Sequence, residues 1–189
     1  MIEKTILSFA GSIIRFFIFY FFFLNAYAET VNKKYEHTEQ GVLALMYHRF
    51  EENRYPSTNI KIDIFKEHLK IIKKNNFEFI NPLILSEEFN EVKKNKKILL
   101  TIDDAFASFY KNAWPYIKKN KIPFILFVST EPVGKKGYMT WKEIIEVSKE
   151  DFAFIGNHSH SHDYMVDYVF VKFSKDIDKS IKIFKDKLG

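Results

Sequence analysis

The stretch "KILLTI" at residues 97–102 decides the fold that the sequence predicts, because it is apolar without alternation. Continuous apolar runs of this length are typical of parallel strands that are covered on both faces. Four more runs of strand length recur along the chain, namely "VLALMYH" (42–48), "FEFI" (77–80), "PFILFVS" (123–129) and "FAFIGNH" (152–158). Strands that alternate with helical stretches call for right-handed crossovers, so the sequence predicts an α/β fold with a parallel sheet, open or closed into a barrel.

The segments between these runs carry the spacing of amphipathic helices. Asp63 is predicted to cap a helix on which Phe65, Leu69 and Ile72 recur at intervals of four and three. Thr140 is spaced from Glu143 as in a capping box. Three further helices are predicted. One begins at Ser86, and a second covers 107–120, with Pro115 in the first turn of its second half. The third ends the chain and carries an apolar stripe of Ile177, Ile181, Phe184 and Leu188.

Residues 1–28 have the pattern of a secretory signal peptide. Lys4 and Arg15 precede the apolar run 16–24, and Ala26 and Ala28 supply the small residues of a cleavage site. The run is shorter than the roughly 20 apolar residues that cross a bilayer. An uncleaved anchor is the alternative, and we expect membrane contact only in that case. Residues 29–40 are predicted to be a polar linker, and 41–189 one domain.

The composition narrows the class of protein. A chain of 189 residues with 47% apolar residues, no cysteine and a net charge of +5 fits one globular domain. Its lysines are scattered among acids without interleaved arginines and aromatic residues, so no nucleic-acid partner is expected. The sequence stops on a predicted helix with no strand after it, and we therefore expect it to be a fragment of a longer α/β domain.

Polar residues collect where three of the predicted strands end. They are Tyr47 and His48 at the end of the first strand, Asp103 and Asp104 directly after the third, and Asn157 and His158 at the end of the fifth. The carboxyl ends of parallel strands meet at one edge of the sheet, where active sites form. If the chain turns into a helix where it leaves the strand, His158 and His162, four residues apart, can direct two imidazoles at one ion. On a continuing strand all three histidines of residues 158–162 would share one face. With Asp104 they make two histidines and a carboxylate, the ligand set of a catalytic metal site with open positions.

Two of these segments also carry a resemblance to a known family. Thr101-Ile102-Asp103-Asp104-Ala105 is similar to the motif Thr-Phe-Asp-Asp-Gly, and His158-Ser159-His160-Ser161-His162 to the motif His-Ser/Thr-x-x-His. With "LMYHRF" before them and "PFILFVST" between, they resemble the polysaccharide deacetylases, the catalytic domain of carbohydrate esterase family 4. The resemblance covers about Val42 to the end of the chain. It implies an irregular (β/α)7 barrel, here truncated after the fifth strand and its helix.

The resemblance also implies roles for individual residues. Asp103 would be the general base, and Asp104, His158 and His162 would bind one divalent metal ion. Zn²⁺ is the first expectation for that ion, with Co²⁺, Ni²⁺ or Fe²⁺ as alternatives. His160 falls on an unspecified position of the motif and is a candidate for orienting a ligand.

The implied activity is that of an exported hydrolase acting on carbon–nitrogen bonds other than peptide bonds. It would remove acetyl groups from a polysaccharide or oligosaccharide, as acetamides or as esters. A metal would lower the pKa of a water molecule toward about 7 and polarise the acetyl carbonyl. Asp103 would then take the proton from the attacking water.

Two departures from the family pattern are visible. Ala105 stands where the family has glycine. The later family motifs, among them a Leu-x-His that supplies the general acid, are expected beyond Gly189. Two other residues keep two interpretations each: His48 lines the site or is a buried, hydrogen-bonded histidine, and Trp141 is a sugar-facing wall or part of the core.

Two other functional classes share part of this residue pattern. A non-haem iron oxygenase also uses two histidines and a carboxylate, but the expected His-x-Asp pair and antiparallel strand pattern are missing from this sequence. A non-catalytic carbohydrate-binding envelope protein with a degenerate metal site is the alternative outside enzymes. Such a protein has no evident need for Asp103 beside Asp104.

Overall fold

The structure, a computed structural model, describes residues 42–83 and 96–189. The predicted leader, the linker and the helix predicted from Ser86 lie outside the described residues. The strands are β1 (Val42–Tyr47), β2 (Arg49–Phe50), β3 (Asn59–Ile60), β4 (Glu78–Phe79), β5 (Lys97–Ile102), β6 (Phe124–Val128) and β7 (Ala153–Asn157). All five apolar runs identified in the sequence contain a strand.

The main sheet is parallel throughout and follows the order β1-β5-β6-β7. Strand β4 pairs with the first two residues of β5, and β6 pairs with the last two. The prediction of a parallel α/β fold is therefore confirmed. Within the described residues the sheet stays open, because β1 and β7 each have one neighbour.

A second, two-stranded parallel sheet of β2 and β3 was not predicted. Its strands hold two residues each, too few for any alternation of apolar and polar residues to be read from the sequence. The sheet places Phe50 in the core, where it is fully buried.

The described residues contain four α-helices: α1 (Ile62–Lys74), α2 (Trp114–Asn120), α3 (Trp141–Ser148) and α4 (Phe170–Leu188). A π-helical turn at Phe109–Ala113 precedes α2, and a 3₁₀ turn at Met165–Asp167 precedes α4. Pro115 lies in the first turn of α2, as predicted. No helix in the two described ranges is both long and apolar enough to span a bilayer.

The sequence predicted the N-terminal cap of α3 correctly but not that of α1. The prediction of Asp63 as N-cap is wrong: Lys61 holds that position, and Asp63 lies in the first turn of α1. The carboxylate of Glu51 accepts the Ile62 N–H at 2.6 Å, so a residue distant in sequence satisfies a group that the local sequence left open. The capping box of Thr140 and Glu143 on α3 is confirmed.

The core lies around β5 and β6. Ile98, Leu100 and Ile102 of β5 are almost fully buried, and Thr101 on the opposite face is 7% exposed. The predicted stripe of α4 is only partly correct. Phe184 packs against the core, whereas Ile181 remains 42% exposed and Ser180 is fully buried.

Candidate metal centre

The ends of β5 and β7 bring the predicted site residues to one edge of the sheet. Asp103 and Asp104 directly follow β5, and His158 directly follows β7. The Asp103 N–H donates to the Tyr47 carbonyl at 2.8 Å, and the His158 N–H donates to the Val128 carbonyl at 3.0 Å. Backbone hydrogen bonds of the sheet therefore continue one residue past the strands and hold these side chains at the sheet edge.

Asp104, His158 and His162 converge on one point. The Nε2 atoms of His162 and His158 lie 2.8 and 3.4 Å from Asp104 Oδ1. The two imidazole centroids are 5.0 Å apart, and the three candidate ligand atoms lie within 4.8 Å of one another. The carboxylate is buried, while the side chains of His158 and His162 are 33% and 51% exposed. The site is thus buried on the side of Asp104 and open to solvent on the side of the histidines.

Two carboxylate oxygens at this edge are buried without a donor. Neither Asp103 Oδ1 nor Asp104 Oδ1 accepts a hydrogen bond from any described residue. The histidine Nε2 atoms approach Asp104 Oδ1 without the geometry of an N–H donor. A buried carboxylate oxygen without a donor is costly, and a cation removes that cost. Two imidazole nitrogens and one carboxylate oxygen are ligands that suit zinc and related divalent ions, so these residues fit such an ion.

The two neighbouring carboxyl groups have opposite pKa shifts. Burial raises the pKa of Asp103, against the charges of His158 and His48, which lower it. Burial also acts to raise the pKa of Asp104, but the contact with His158 and the charge of His162 outweigh it, so the pKa of Asp104 is lowered. Asp104 therefore remains ionised more readily, and Asp103 takes up a proton more readily.

The turn after β5 keeps the conformation that a glycine would favour. Asp104 and Ala105 both have left-handed backbone, with φ of 70° and 51°. For a residue with a Cβ this region costs about 1–2 kcal/mol. The Ala105 carbonyl accepts the Met139 N–H at 2.8 Å, which helps to hold the turn. The alanine thus leaves the turn in place and adds backbone strain.

The loop that carries the three histidines separates the outer pair from the middle one. His158 and His162 lie at Asp104, whereas His160 Nδ1 is 2.7 Å from Thr130 Oγ1. The His160 carbonyl accepts the Glu131 N–H at 2.9 Å. The outer pair lies together as predicted, but the helical turn expected at 158–162 is wrong: the segment is a bend in which Ser159 and His162 have left-handed backbone. A ligand-orienting role of His160 stays a prediction.

His48 and Trp141, the other two candidates, have different surroundings. His48 is half-buried between β1 and β2, close enough to the two carboxylates that its charge lowers their pKa values. The Trp141 ring meets Phe184 of α4 edge-on with a centroid distance of 6.0 Å. The contacts of Trp141 are those of a packing residue, and its role as a sugar-facing wall stays a prediction.

Sequence reasoning missed two polar residues of α4 that contact the histidine loop. The Asp176 carboxylate accepts the N–H groups of His160 and Ser161, at 2.7 and 3.0 Å. The hydroxyl of Ser180 accepts a hydrogen bond from the Asn157 side-chain amide at 2.8 Å. Asp176 and Ser180 are four residues apart and therefore share a helix face. Two polar residues at this spacing on an otherwise amphipathic helix were the feature of the sequence that could have indicated a polar contact of α4.

Comparisons with known proteins agree with this geometry. The sequence model described as polysaccharide deacetylase matches residues 90–189. A curated relative, the poly-β-1,6-N-acetyl-D-glucosamine N-deacetylase of Staphylococcus aureus, is 26% identical over 151 residues. That match covers 68% of this chain and 51% of the relative, so the chain spans about half the length of the curated relative.

Solved structures show the same fold. IcaB from Ammonifex degensii superposes with a TM-score of 0.67 at 26% identity, covering 79% of this chain and 70% of that one. The Streptococcus pyogenes deacetylase PplD, solved in complex with acetate, also has a TM-score of 0.67, at 22% identity, covering 78% and 69%. The family match extends over more than half of the chain and includes both aspartates and all three loop histidines. The chain therefore belongs to the polysaccharide deacetylase family.

Proposed function

We propose that this chain carries the metal-binding and base residues of a hydrolase that removes acetyl groups from N-acetylated sugars of a polysaccharide or cell-envelope glycan. The observation that supports the proposal most is the convergence of Asp104 Oδ1 with the Nε2 atoms of His158 and His162. The preceding residue, Asp103, adds a buried carboxylate oxygen without a hydrogen-bond donor among the described residues.

Asp104, His158 and His162 would hold the divalent ion, with Zn²⁺ first and Co²⁺, Ni²⁺ or Fe²⁺ as alternatives. Deacetylases of this family use a divalent metal. When bound, such an ion lowers the pKa of water and polarises an acetyl carbonyl. The lowered pKa of Asp104 favours this role, because a carboxylate ligand must be ionised.

Asp103 would act as the general base. Its Oδ1 is buried and has no donor among the described residues, so it is free to accept a proton. Burial raises the pKa of Asp103, which makes the carboxylate a stronger base than an exposed aspartate. The proton of the attacking water would pass to Asp103 as the oxygen adds to the acetyl carbon. The carbon–nitrogen bond would then break as the sugar nitrogen takes up a proton, which Asp103 can return, leaving acetate and a free amine on the sugar.

The proposed substrate class is a polymer of N-acetylglucosamine, in line with the name of the Staphylococcus aureus relative. A pocket beside the histidines is open to solvent and is lined by residues that include Asn157, His162 and Tyr164. An open pocket suits a long chain that must enter and leave sideways. The pattern of residues 1–28 supports export to the cell envelope.

Acetate release from N-acetylglucosamine oligomers by the full chain tests the proposal, with Zn²⁺ or Co²⁺ restored after chelation. We expect release that depends on the added metal and is lost in His158→Ala. Asp103→Asn is expected to lower the rate at least about 100-fold, a typical effect of losing a general base, with Co²⁺ affinity kept. Asp178→Asn, an exposed change of the same kind on α4, is the matched control and should leave the rate unchanged.

Two results would contradict the proposal. Release that survives chelation and His158→Ala would exclude the metal site as the source of activity. Metal and sugar binding by a folded wild-type chain without any acetate release would instead favour the non-catalytic carbohydrate-binding alternative.

A further inference from the structure

The loop between the two candidate histidine ligands has a backbone conformation that needs support. Ser159 and His162 both have left-handed backbone, with φ of 69° and 59°. Residues with a Cβ adopt this conformation only where surrounding contacts enforce it. Part of the support is local: the Ser159 N–H donates to Asn157 Oδ1 at 2.8 Å, and the His162 N–H donates to Ser159 Oγ at 3.1 Å.

The rest of the support comes from outside the loop. On one side, residues after β6 pair with the loop backbone, with the Thr130 N–H donating to the Ser159 carbonyl at 3.1 Å. On the other side, Asp176 of α4 accepts the consecutive N–H groups of His160 and Ser161 on its two carboxylate oxygens. Hydrogen bonds to an ionised acceptor are stronger than those between neutral groups.

The carboxylate of Asp176 is committed to the loop. Among the ion pairs of the described residues, none involves Asp176. The two amides that it binds lie between His158 and His162 in the chain, so their position sets how the loop returns to bring both imidazoles to Asp104. Loss of these two hydrogen bonds would leave the segment between the two histidines held only by its contacts with residues after β6 and within the loop.

We infer that Asp176 is a positioning residue: by holding the backbone of His160 and Ser161, it fixes the loop shape that brings His158 and His162 together at Asp104. The inference rests on the proposed metal site and adds a residue to it that touches neither metal nor substrate. Residues that orient metal ligands typically change metal affinity about 10- to 100-fold when they are replaced.

The test compares Asp176→Asn with two controls in the full chain, by titration with Co²⁺ followed by its visible absorption. The asparagine keeps the size of the side chain but turns an NH₂ group toward one of the two N–H groups. We expect Co²⁺ affinity to fall about tenfold or more. Asp178→Asn removes the same charge from the exposed face of α4, and Phe184→Leu weakens the packing of α4 on Trp141. Both controls should stay within about twofold of wild type, since neither touches the loop.

Hydrogen exchange provides a second measurement that needs no metal. In the metal-free wild type, the amides of His160 and Ser161 should be protected, and Asp176→Asn should release them while amides of β5 and β6 stay unchanged. This measurement decides the inference even if the wild type binds no Co²⁺, a result that would count against the proposed metal site. If Asp176→Asn fails to fold, exchange in the wild type alone still tests the inference: slow exchange of the two amides supports it, and rapid exchange overturns it.

Three results would overturn the inference. Wild-type Co²⁺ affinity in Asp176→Asn would show that the carboxylate does not position the ligands. An equal loss of affinity in Phe184→Leu would show that only the docking of α4 matters. Rapid exchange of the His160 and Ser161 amides in the wild type would show that the two hydrogen bonds do not hold the loop.

Discussion

At the scale of single residues, the candidate site contains two aspartates that are adjacent in the chain and differ in environment. Asp104 lies against two imidazoles, which lower its pKa despite burial. Asp103 is buried to a similar degree, and burial raises its pKa. When the surroundings shift the pKa values of two neighbouring carboxyl groups in opposite directions, one can stay ionised as a metal ligand while the other accepts a proton.

The first prediction concerns His158 and the pH dependence of stability without metal. The contact with Asp104 raises the pKa of His158 above its ordinary value of 6.5, although burial opposes the shift. The folded chain therefore holds a proton in a pH range where the unfolded chain has lost it. This contribution to the free energy of unfolding is complete below about pH 6.5 and is lost as the pH rises through the raised pKa.

Urea unfolding in the presence of a chelator, at several pH values from about 6 to 8.5, checks this prediction. The free energy of unfolding of the wild type should fall more steeply with rising pH than that of His158→Gln. Parallel pH profiles for the two proteins would mean that the histidine gains no stabilisation from Asp104 in the folded state.

At the scale of secondary-structure elements, the free backbone N–H groups at helix N-termini find hydrogen-bond acceptors in two ways. In α3 the sequence itself provides the cap: Thr140 Oγ1 accepts the Glu143 N–H at 3.3 Å, and Glu143 Oε2 accepts the Thr140 N–H at 2.7 Å. In α1 the first free N–H is satisfied by Glu51, a residue of the loop between β2 and β3. The first kind of cap is visible in the sequence, and the second requires the fold.

The second prediction belongs to α3. Thr140→Ala should lower the free energy of unfolding by about 1 kcal/mol, because it removes the side-chain half of the capping box. Urea unfolding measures the change, and Thr140→Ser should restore most of it because the hydroxyl is kept. Lys142→Ala, on the exposed side of the same helix, is the matched control and should have little effect. Equal stabilities of Thr140→Ala and wild type would show that the capping box adds nothing.

At the scale of the whole molecule, a metal ion at this site would join two strands that are not neighbours. Asp104 follows β5 and His158 follows β7, with β6 between them. The ligand atoms come together only in the folded chain, so binding favours the folded state by mass action. At a metal concentration of 100 times Kd the expected stabilisation is about 2.7 kcal/mol.

The third prediction follows from this linkage. Thermal unfolding of the wild type should move to higher temperature as Zn²⁺ or Co²⁺ is added, and chelation should reverse the shift. His162→Ala should lose most of the shift. His68→Gln is the matched control: its Nδ1 lies 2.9 Å from the Tyr47 hydroxyl, outside the set of converging ligands, and the metal-dependent shift should persist. Identical shifts in His162→Ala and wild type would exclude His162 as a ligand.

Much of this architecture was predictable from the sequence because its determinants are local. Uninterrupted apolar runs identified the strands of the parallel sheet. The four-residue spacing of His158 and His162 indicated the pair that lies together, but a bend brings them together and not the helical turn that the spacing assumed. The strand ends then placed Asp103 and Asp104 at the same edge, since the carboxyl ends of parallel strands share an edge.

Tertiary structure alone decided the features that join distant segments. The pairing of β2 with β3, the cap that Glu51 provides for α1 and the contact of Asp176 with the histidine loop all link residues from different elements. Periodicity shows which face of a helix is apolar, but it does not show which loop that face meets. The sequence by itself determined the order of the strands along the chain and the candidate ligands at their ends. The docking of α4 determined how the loop between those ligands is held, because that contact exists only once the helix is packed on the sheet.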